Sequence, residues 1–256
     1  MSLENPFDLT GKVAVITGAS RGIGRAAAEA MAAMGARVVI SSRNLEPCEA
    51  VAQSIRDAGG EATAIACNIS HRDQCEALIA ETESRLGPVD AMVCNAAANP
   101  YYGSILDLPD EAFDKIMRSN IRSNLWLAKL VAPSMQARGG GTITIVSSIA
   151  ALRASPMIAA YGISKAGDVA LAKNLAQELG PANIRVNCVA PGLIKTDFAR
   201  ALWEDEAAVA SRNAATPLRR IGEPKEIGGI VAFLASPAAS FMTGETVVAD
   251  GGVTAV

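Results

Sequence analysis

The stretch Val13–Gly24, VAVITGASRGIG, constrains the fold more than any other part of the chain. Val13 to Thr17 is a short apolar run without helical spacing, which reads as a strand buried on both faces. Gly18, Gly22 and Gly24 then form a glycine-rich turn, and Arg25 to Met34 continues as an alanine-rich helix that stops at Gly35. Strand, glycine turn and helix in that order make the first half of a βαβ unit. The first N–H groups of such a helix lack backbone partners and its dipole is positive at that end, so a pyrophosphate is favoured there. Gly18 permits the tight turn, Gly22 lets backbone approach a ligand, and Gly24 allows close packing of helix on strand. Ser20, Arg21 and Ile23 fill the turn between them and share its candidate phosphate-binding role. Taken alone, three glycines at this spacing are weak evidence, since a tight turn that binds nothing also accounts for them.

The rest of the chain repeats the alternation. Strands are expected at Arg37–Ser41, Ala62–Ala66, Val89–Val93, Thr142–Ser147, Ile184–Val189 and Thr246–Ala249. Helices are expected at Leu45–Asp57, His71–Leu86, Asp110–Ala137, Ala159–Leu179 and Lys225–Ala235, with Pro133 disturbing the last turns of the third. Met1 to Thr10 reads as a loosely ordered polar arm, and Pro191–Ile221 as a less regular insertion. Alternation of this kind implies an α/β fold: a doubly wound, Rossmann-like parallel sheet of about seven strands, with helices on both faces. The expected order is 3-2-1-4-5-6, with the last strand beside the sixth. No repeat or linker interrupts residues 1–256, so one domain is expected. Ligands in such sheets lie beyond the carboxyl ends of the strands, which nominates the loops after Thr17, Ser41, Ala66, Val93, Ser147 and Val189.

Composition narrows the function. A net charge of −3 gives no electrostatic footprint for nucleic acid or an anionic membrane. Five cysteines at irregular spacing match neither a disulfide framework nor a zinc site, and a reduced cytoplasmic protein is the simplest account. His71 is the only histidine, which argues against a histidine triad or metal cage, and no metal role is expected. No signal peptide or membrane-spanning apolar run is read.

Tyr161 and Lys165 are four apart on a helix, so they share a face. A phenol is a poor base near neutrality, and a nearby ammonium favours its ionised form, making the pair a plausible acid/base for a hydroxyl proton. By itself such a pair is more often a half-exposed surface contact. Ser147-Ser148 ends the fifth strand, and Ser148 lies thirteen residues before Tyr161. Asn120 sits inside the first long helix, a poor place for asparagine on propensity. Cys94-Asn95-Ala96-Ala97 follows the fourth strand and Pro191-Gly192-Leu193-Ile194-Lys195-Thr196 the sixth.

Together with Thr17-Gly-Ala-Ser-Arg-Gly-Ile-Gly24, these segments resemble the short-chain dehydrogenase/reductase family over Leu9 to Gly252. NAAANP, IVSSIAA, NIRVNCVAPGLIKT and TGETVV are most similar to its NADP-dependent retinol dehydrogenase/carbonyl reductase group. CNAA departs from the family's NNAG by cysteine and alanine at its ends and keeps Asn95. The resemblance implies reversible hydride transfer between a nicotinamide and a carbonyl carbon. Ser148 polarises the carbonyl oxygen, Tyr161 exchanges the proton, Lys165 lowers the Tyr161 pKa and holds the ribose, and Asn120 holds a water that completes the proton path. Candidate cofactor contacts are Gly18, Ser20, Arg21, Gly22, Ile23, Gly24, Ser42, Arg43, Asn68, Ile69, Asn95, Ala96, Tyr161, Lys165, Pro191, Gly192, Ile194 and Thr196.

The cofactor expected is NADP(H), with NAD(H) as the alternative. Val38-Val39-Ile40-Ser41-Ser42-Arg43 ends the second strand without a carboxylate, and Arg43, Ser42 and Arg21 can meet a 2′-phosphate. Asn99–Tyr102, Ile149, Met157 and Leu193–Arg212, with Phe198, Leu202 and Trp203, are the candidate substrate lining, implying a medium-sized apolar ketone or aldehyde. Small apolar residues on the two long helices, Ala166, Ala170 and Ala172 among them, together with the family resemblance imply a homotetramer. A 3-oxoacyl thioester reductase, a lyase or isomerase on the same fold, and a non-catalytic nucleotide-binding regulator remain the alternatives.

Overall fold

The computed structural model describes residues 5–255. Seven parallel strands, β1 (Val13–Thr17), β2 (Arg37–Ser42), β3 (Glu61–Ala66), β4 (Ala91–Cys94), β5 (Gly141–Val146), β6 (Ile184–Pro191) and β7 (Thr246–Ala249), form one sheet in the order β3-β2-β1-β4-β5-β6-β7. The helices are α1 (Gly22–Ala33), α2 (Leu45–Asp57), α3 (Arg72–Leu86), α4 (Asp110–Met117), α5 (Ser123–Ala137), α6 (Ala159–Leu179), α7 (Glu206–Ala215) and α8 (Pro224–Ala235). The expected order and alternation are found.

Side chains of β1 and β2 alternate between two apolar layers. Ala14, Ile16, Val38 and Ile40 pack with α1, α2 and α8, while Val15 and Val39 pack on the side of α3, α5 and α6. Each fully buried valine or isoleucine contributes about 1.5–3 kcal/mol over an exposed one, so a sheet covered on both faces is strongly held in register. That register brings Thr17 opposite Ser41, Ser42 opposite Ala66, and Val146 opposite Val189, so the loops nominated above open at one edge.

Three expectations need correction. The expected helix Asp110–Ala137 is divided by a π-helical turn at Arg118–Arg122. Pro133 does not disturb its end: α5 runs on to Ala137, with Pro133 and Lys129 on its exposed face, where the carbonyl a proline frees can be met by solvent, while Val131, Ala132 and Met135 stay buried. The N-terminal arm is docked from residue 5 onward. Leu9 is buried and donates its N–H to the Met34 carbonyl at 2.7 Å, and the Phe7 ring packs on Phe233 of α8 with centroids 6.4 Å apart. Residues 1–4 lie outside the described residues.

Candidate active site

A cleft of about 1560 Å³ opens along the carboxyl edge of the sheet. It collects every candidate contact residue read from the sequence except Gly24 and Asn120, which stand behind its wall.

The glycine turn is built around Asn95. Its side-chain amide donates to the carbonyls of Thr17 at 2.9 Å and Gly18 at 3.1 Å, and the Thr17 hydroxyl accepts the N–H groups of Asn95 and Ala96. Gly18 has φ +65°, and a Cβ there would lie 2.8 Å from the Asn95 amide nitrogen. Asn95, expected as a cofactor contact, therefore spends its amide on holding the turn, although it still lines the cleft. α1 starts at Gly22 with no side-chain cap from Arg21 and no acid in its first turn, so its leading N–H groups and positive end remain available to an anion. A Cβ on Gly22 would lie 3.2 Å from Thr196, so the segment after β6 lies over this turn. That segment is itself pinned: a Cβ on Gly192 would lie 2.8 Å from the Asp250 backbone, and Ile194 bridges Gly222.

Beyond β2, the Ser42 hydroxyl lies 3.0 Å from the Cys48 sulfur and 3.3 Å from the Asn44 carbonyl, and Arg43 is exposed with no ion pair among the described residues. Arg21 differs from expectation. Its guanidinium pairs with Asp197 at 3.5 Å, so it is tied to the segment after β6 rather than standing free beside Arg43. Asn68 and Ile69 follow β3 on the cleft wall, where the Asn68 carbonyl amide oxygen accepts the Ser70 N–H.

α6 carries the two residues expected to form the acid/base pair. Tyr161 and Lys165 both line the cleft, with the Lys165 Nζ 5.6 Å from the centre of the Tyr161 ring. Burial pushes the Tyr161 phenol above its ordinary value; the Lys165 charge and the Ser148 hydroxyl pull it down, and Asp168 adds to the rise. Lys165 thus acts in the expected sense, but burial outweighs it in the protein alone. Lys165 is buried, donating to the Val146 carbonyl at 2.8 Å and to Asp168 at 2.9 Å. Ser148 lies two residues beyond β5 and its hydroxyl accepts the Ala150 N–H at 3.1 Å on the cleft wall.

Asn120 sits in the π-helical turn, a widened turn of the kind frequent at functional sites. Its side chain bonds both ways with Ala98 and donates to the Ser164 hydroxyl at 2.9 Å, clamping the loop after β4 to α6. Its carbonyl takes the Asn124 amide at 2.6 Å. The side chain therefore positions neighbouring elements rather than reaching Lys165. The buried pair Asn124 and Asp168 was missed in the sequence. Their spacing to Asn120 (four) and Lys165 (three) is the signal that helical periodicity offers.

Of the substrate lining expected, Asn99, Pro100, Tyr102, Ile149, Leu193, Phe198, Leu202 and Arg212 face the cleft, and the Phe198 ring lies 6.0 Å from that of Tyr161. Met157, Tyr101 and Trp203 do not. Tyr101 donates to the Ser104 carbonyl, and the Trp203 indole N–H donates to the Thr196 carbonyl at 2.8 Å, packing the segment rather than the cleft. The Asn99 side-chain amide oxygen is buried and has no hydrogen-bond partner among the described residues.

Residues 18–254 match the family model described as enoyl-(acyl carrier protein) reductase. Dehydrogenase/reductase SDR family member 4 from Bos taurus is 44% identical over 252 residues, covering 98% of this chain and 90% of the relative, and the Homo sapiens protein of that name is 44% identical over 244 residues, covering 95% and 88%. Two solved structures superpose closely. A gluconate 5-dehydrogenase from Burkholderia cenocepacia J2315 in complex with NADP and tartrate has a TM-score of 0.94 at 34% identity, with 98% of each chain covered. A 7 alpha-hydroxysteroid dehydrogenase complexed with NADH and 7-oxo glycochenodeoxycholic acid has a TM-score of 0.92 at 37% identity, again with 98% of each chain covered. With its sheet order, glycine turn and Ser148/Tyr161/Lys165 cleft, the chain belongs to the short-chain dehydrogenase/reductase family and is an oxidoreductase that interconverts carbonyl and alcohol groups with a nicotinamide dinucleotide.

Proposed function

We propose that the protein reduces, reversibly, a medium-sized apolar ketone or aldehyde with NADP(H). The observation that carries this reading is that Ser148, Tyr161 and Lys165 share one cleft with an uncapped helix start and an unpaired Arg43. The residues fit a dinucleotide: glycine at 18 and 22 lets the turn pack closely on Asn95 and Thr196, which a Cβ would crowd, and the free N–H groups at the start of α1 suit a pyrophosphate. Ser42 and Arg43, with no carboxylate at the end of β2, suit a 2′-phosphate. The two solved relatives hold NADP and NADH respectively, so membership of the family leaves the choice to these residues. Pro191, Gly192, Ile194 and Thr196 would line the nicotinamide end, and Asn68, Ile69, Asn95 and Ala96 the adenosine side and the floor.

When bound, the nicotinamide supplies or accepts the hydride. Ser148 holds the carbonyl oxygen and stabilises charge as it develops there. Tyr161 gives its phenolic proton to that oxygen in reduction and takes it back in oxidation. Burial keeps the phenol protonated at neutral pH, which favours the donor role. Lys165 orients the phenol and would hold the ribose hydroxyls, and Asn120 keeps the loop after β4 and α6 in register. Ile149, Leu193, Phe198 and Leu202 supply the apolar wall.

The experiment is Tyr161→Phe assayed by NADPH absorbance against a panel of ketones, aldehydes, sugars and acyl thioesters. The hydroxyl is removed and shape kept, so NADPH binding persists while turnover falls at least about a hundredfold. Activity within a few-fold of the unmodified protein overturns the assignment, and a preference for acyl thioesters replaces the substrate class.

We further propose that residues 1–256 work as one domain within a cytoplasmic homotetramer. No helix among the described residues is long and apolar enough to cross a membrane. Phe113, Leu125 and Ile163 on α4, α5 and α6 are exposed, as are Ala166 and Ala170, which supports pairing of these helices between subunits. Ala172, in contrast, is buried in the core and gives no such support.

A further inference from the structure

The acid/base pair is wired to a third helix residue and, through it, to a second helix. Asp168 lies three residues beyond Lys165 on α6, and both side chains are almost wholly removed from solvent (2% and 0% exposed). One carboxylate oxygen accepts from the Lys165 Nζ at 2.9 Å; the other accepts from the Asn124 amide at 2.9 Å. The same Asn124 amide group donates to the Asn120 carbonyl at 2.6 Å, in the π-helical turn. A continuous chain of bonds thus runs from Asn120 through Asn124 and Asp168 to Lys165. An ammonium has three donors. Val146 and Asp168 take two, and the third is left for the cleft that Lys165 lines.

Buried ion pairs add little to stability, since well-packed apolar residues in their place are often neutral or better. A dry carboxylate beside an acid/base lysine instead fixes charge and direction. Burial alone draws Lys165 below its ordinary value; Asp168 and Tyr161 more than offset that, so the ammonium is held up. Burial pushes Asp168 itself up, against the opposing pull of Lys165 and Asn124. The other titratable groups facing the pair are Tyr161 on α6, Cys94 on β4 and Cys188 on β6. Burial pushes both thiols up, Cys188 to about 12, so neither carries charge at working pH.

We propose that Asp168 is a positioning residue for the reaction: it keeps Lys165 in its ammonium form and aims the remaining N–H at the cleft, while Asn124 holds Asp168 in place. This inference rests on the reading of Tyr161 and Lys165 given above. Asp168 raises the proton affinity of both of them, so removing its charge must make the cluster lose its first proton at lower pH.

The test is Asp168→Asn in the full-length protein, with Asn124→Ser as a second variant that keeps the carboxylate and removes its anchor. Lysine labelled with ¹³C at Cε reports the Lys165 charge by NMR in the protein without cofactor, Lys165 being assigned by its loss in Lys165→Arg. The expected result is that Lys165 titrates at least about one pH unit lower in Asp168→Asn, a tenfold loss of proton affinity, and shifts the same way by less in Asn124→Ser. The alkaline limb of kcat/KM for NADPH-dependent reduction moves acidward with it. Unchanged Lys165 titration in the variants overturns the proposal, and should Asp168→Asn not fold, Asn124→Ser alone decides it on the same scale. A shifted Lys165 titration with an unmoved rate profile overturns the link to turnover. An active Tyr161→Phe instead overturns the assignment of the site and leaves the Lys165 titration standing, so the two failures are distinguishable.

Discussion

Gly24→Ala tests the packing that holds the glycine turn in its binding shape. A Cβ at this position would lie 2.5 Å from the Asn95 amide nitrogen and 2.5 Å from the Gly18 carbonyl oxygen. The second of these is backbone and cannot rotate away, so α1 must shift off β1 or the turn must open. Overpacking of this kind costs about 1–3 kcal/mol. Displacing Asn95 also weakens its bonds to the Thr17 and Gly18 carbonyls, at about 0.5–1.5 kcal/mol each. Against this, alanine gains roughly 0.5–1 kcal/mol over glycine in a helix, leaving a net loss of about 1–5 kcal/mol. For a chain of this size that lowers Tm by about 2–20 °C. Gly180→Ala is the matched control: it has helical φ −52° and ψ −44°, and nothing lies within 4 Å of the added Cβ. It should leave Tm equal or slightly higher. Thermal unfolding by circular dichroism reads the stability, and fluorescence titration with NADPH reads the turn, where affinity should fall at least about tenfold in Gly24→Ala. If Gly24→Ala melts within a degree or two of the unmodified protein and binds NADPH as well, Gly24 is not the contact that sets the turn.

Ser42→Asp with Arg43→Leu should move the kcat/KM preference from NADPH toward NADH by one or more powers of ten, about 1.4 kcal/mol each; an unmodified protein already favouring NADH shows the reading of Arg43 to be wrong. Glu226 is held down to about 2 by the Arg220 guanidinium and the Glu223 N–H, so the stability it confers is present above the ordinary carboxylate range and lost as pH falls through about 2. Being exposed, it gives Glu226→Gln only a small, salt-sensitive Tm loss at pH 7 that vanishes near pH 2; a loss that is the same at both pH values counts against the ion pair. Light scattering at micromolar concentration should give the mass of four chains, and a monomeric mass refutes the assignment of the exposed face of α4, α5 and α6 to subunit contacts.

Much of this was legible because each clue is local. The β1 run, the turn at Gly18 and the α1 helix lie within one stretch, and backbone sterics alone assign them. Tyr161 and Lys165 share a helical face by arithmetic, and Ser148 ends a strand by pattern. The π-helical turn at Arg118–Arg122 was not legible. Asn120, out of place in a helix, is the only hint in RSNIR; its bonds to Ala98 and Ser164 lie on other elements and are not visible in the sequence. Pro133 misled in the opposite direction, because its cost depends on whether the carbonyl it frees faces water.

The sequence by itself determined most of the strands and helices and nominated the side chains proposed to move a proton and hold a dinucleotide, because periodicity and glycine conformation act between near neighbours; right-handed crossovers then implied the order of the sheet. Only the tertiary structure decided which of those groups are free to act. Arg21 and Arg43 are equal cations on paper, yet one is tied to Asp197, 176 residues away. Lys165 reads as a lone ammonium, yet it is paired in the dry interior with Asp168 and anchored through Asn124 on another helix. Charges and hydrogen-bond partners are set by distances through space and by loss of water, and neither exists until the sheet has brought distant segments together.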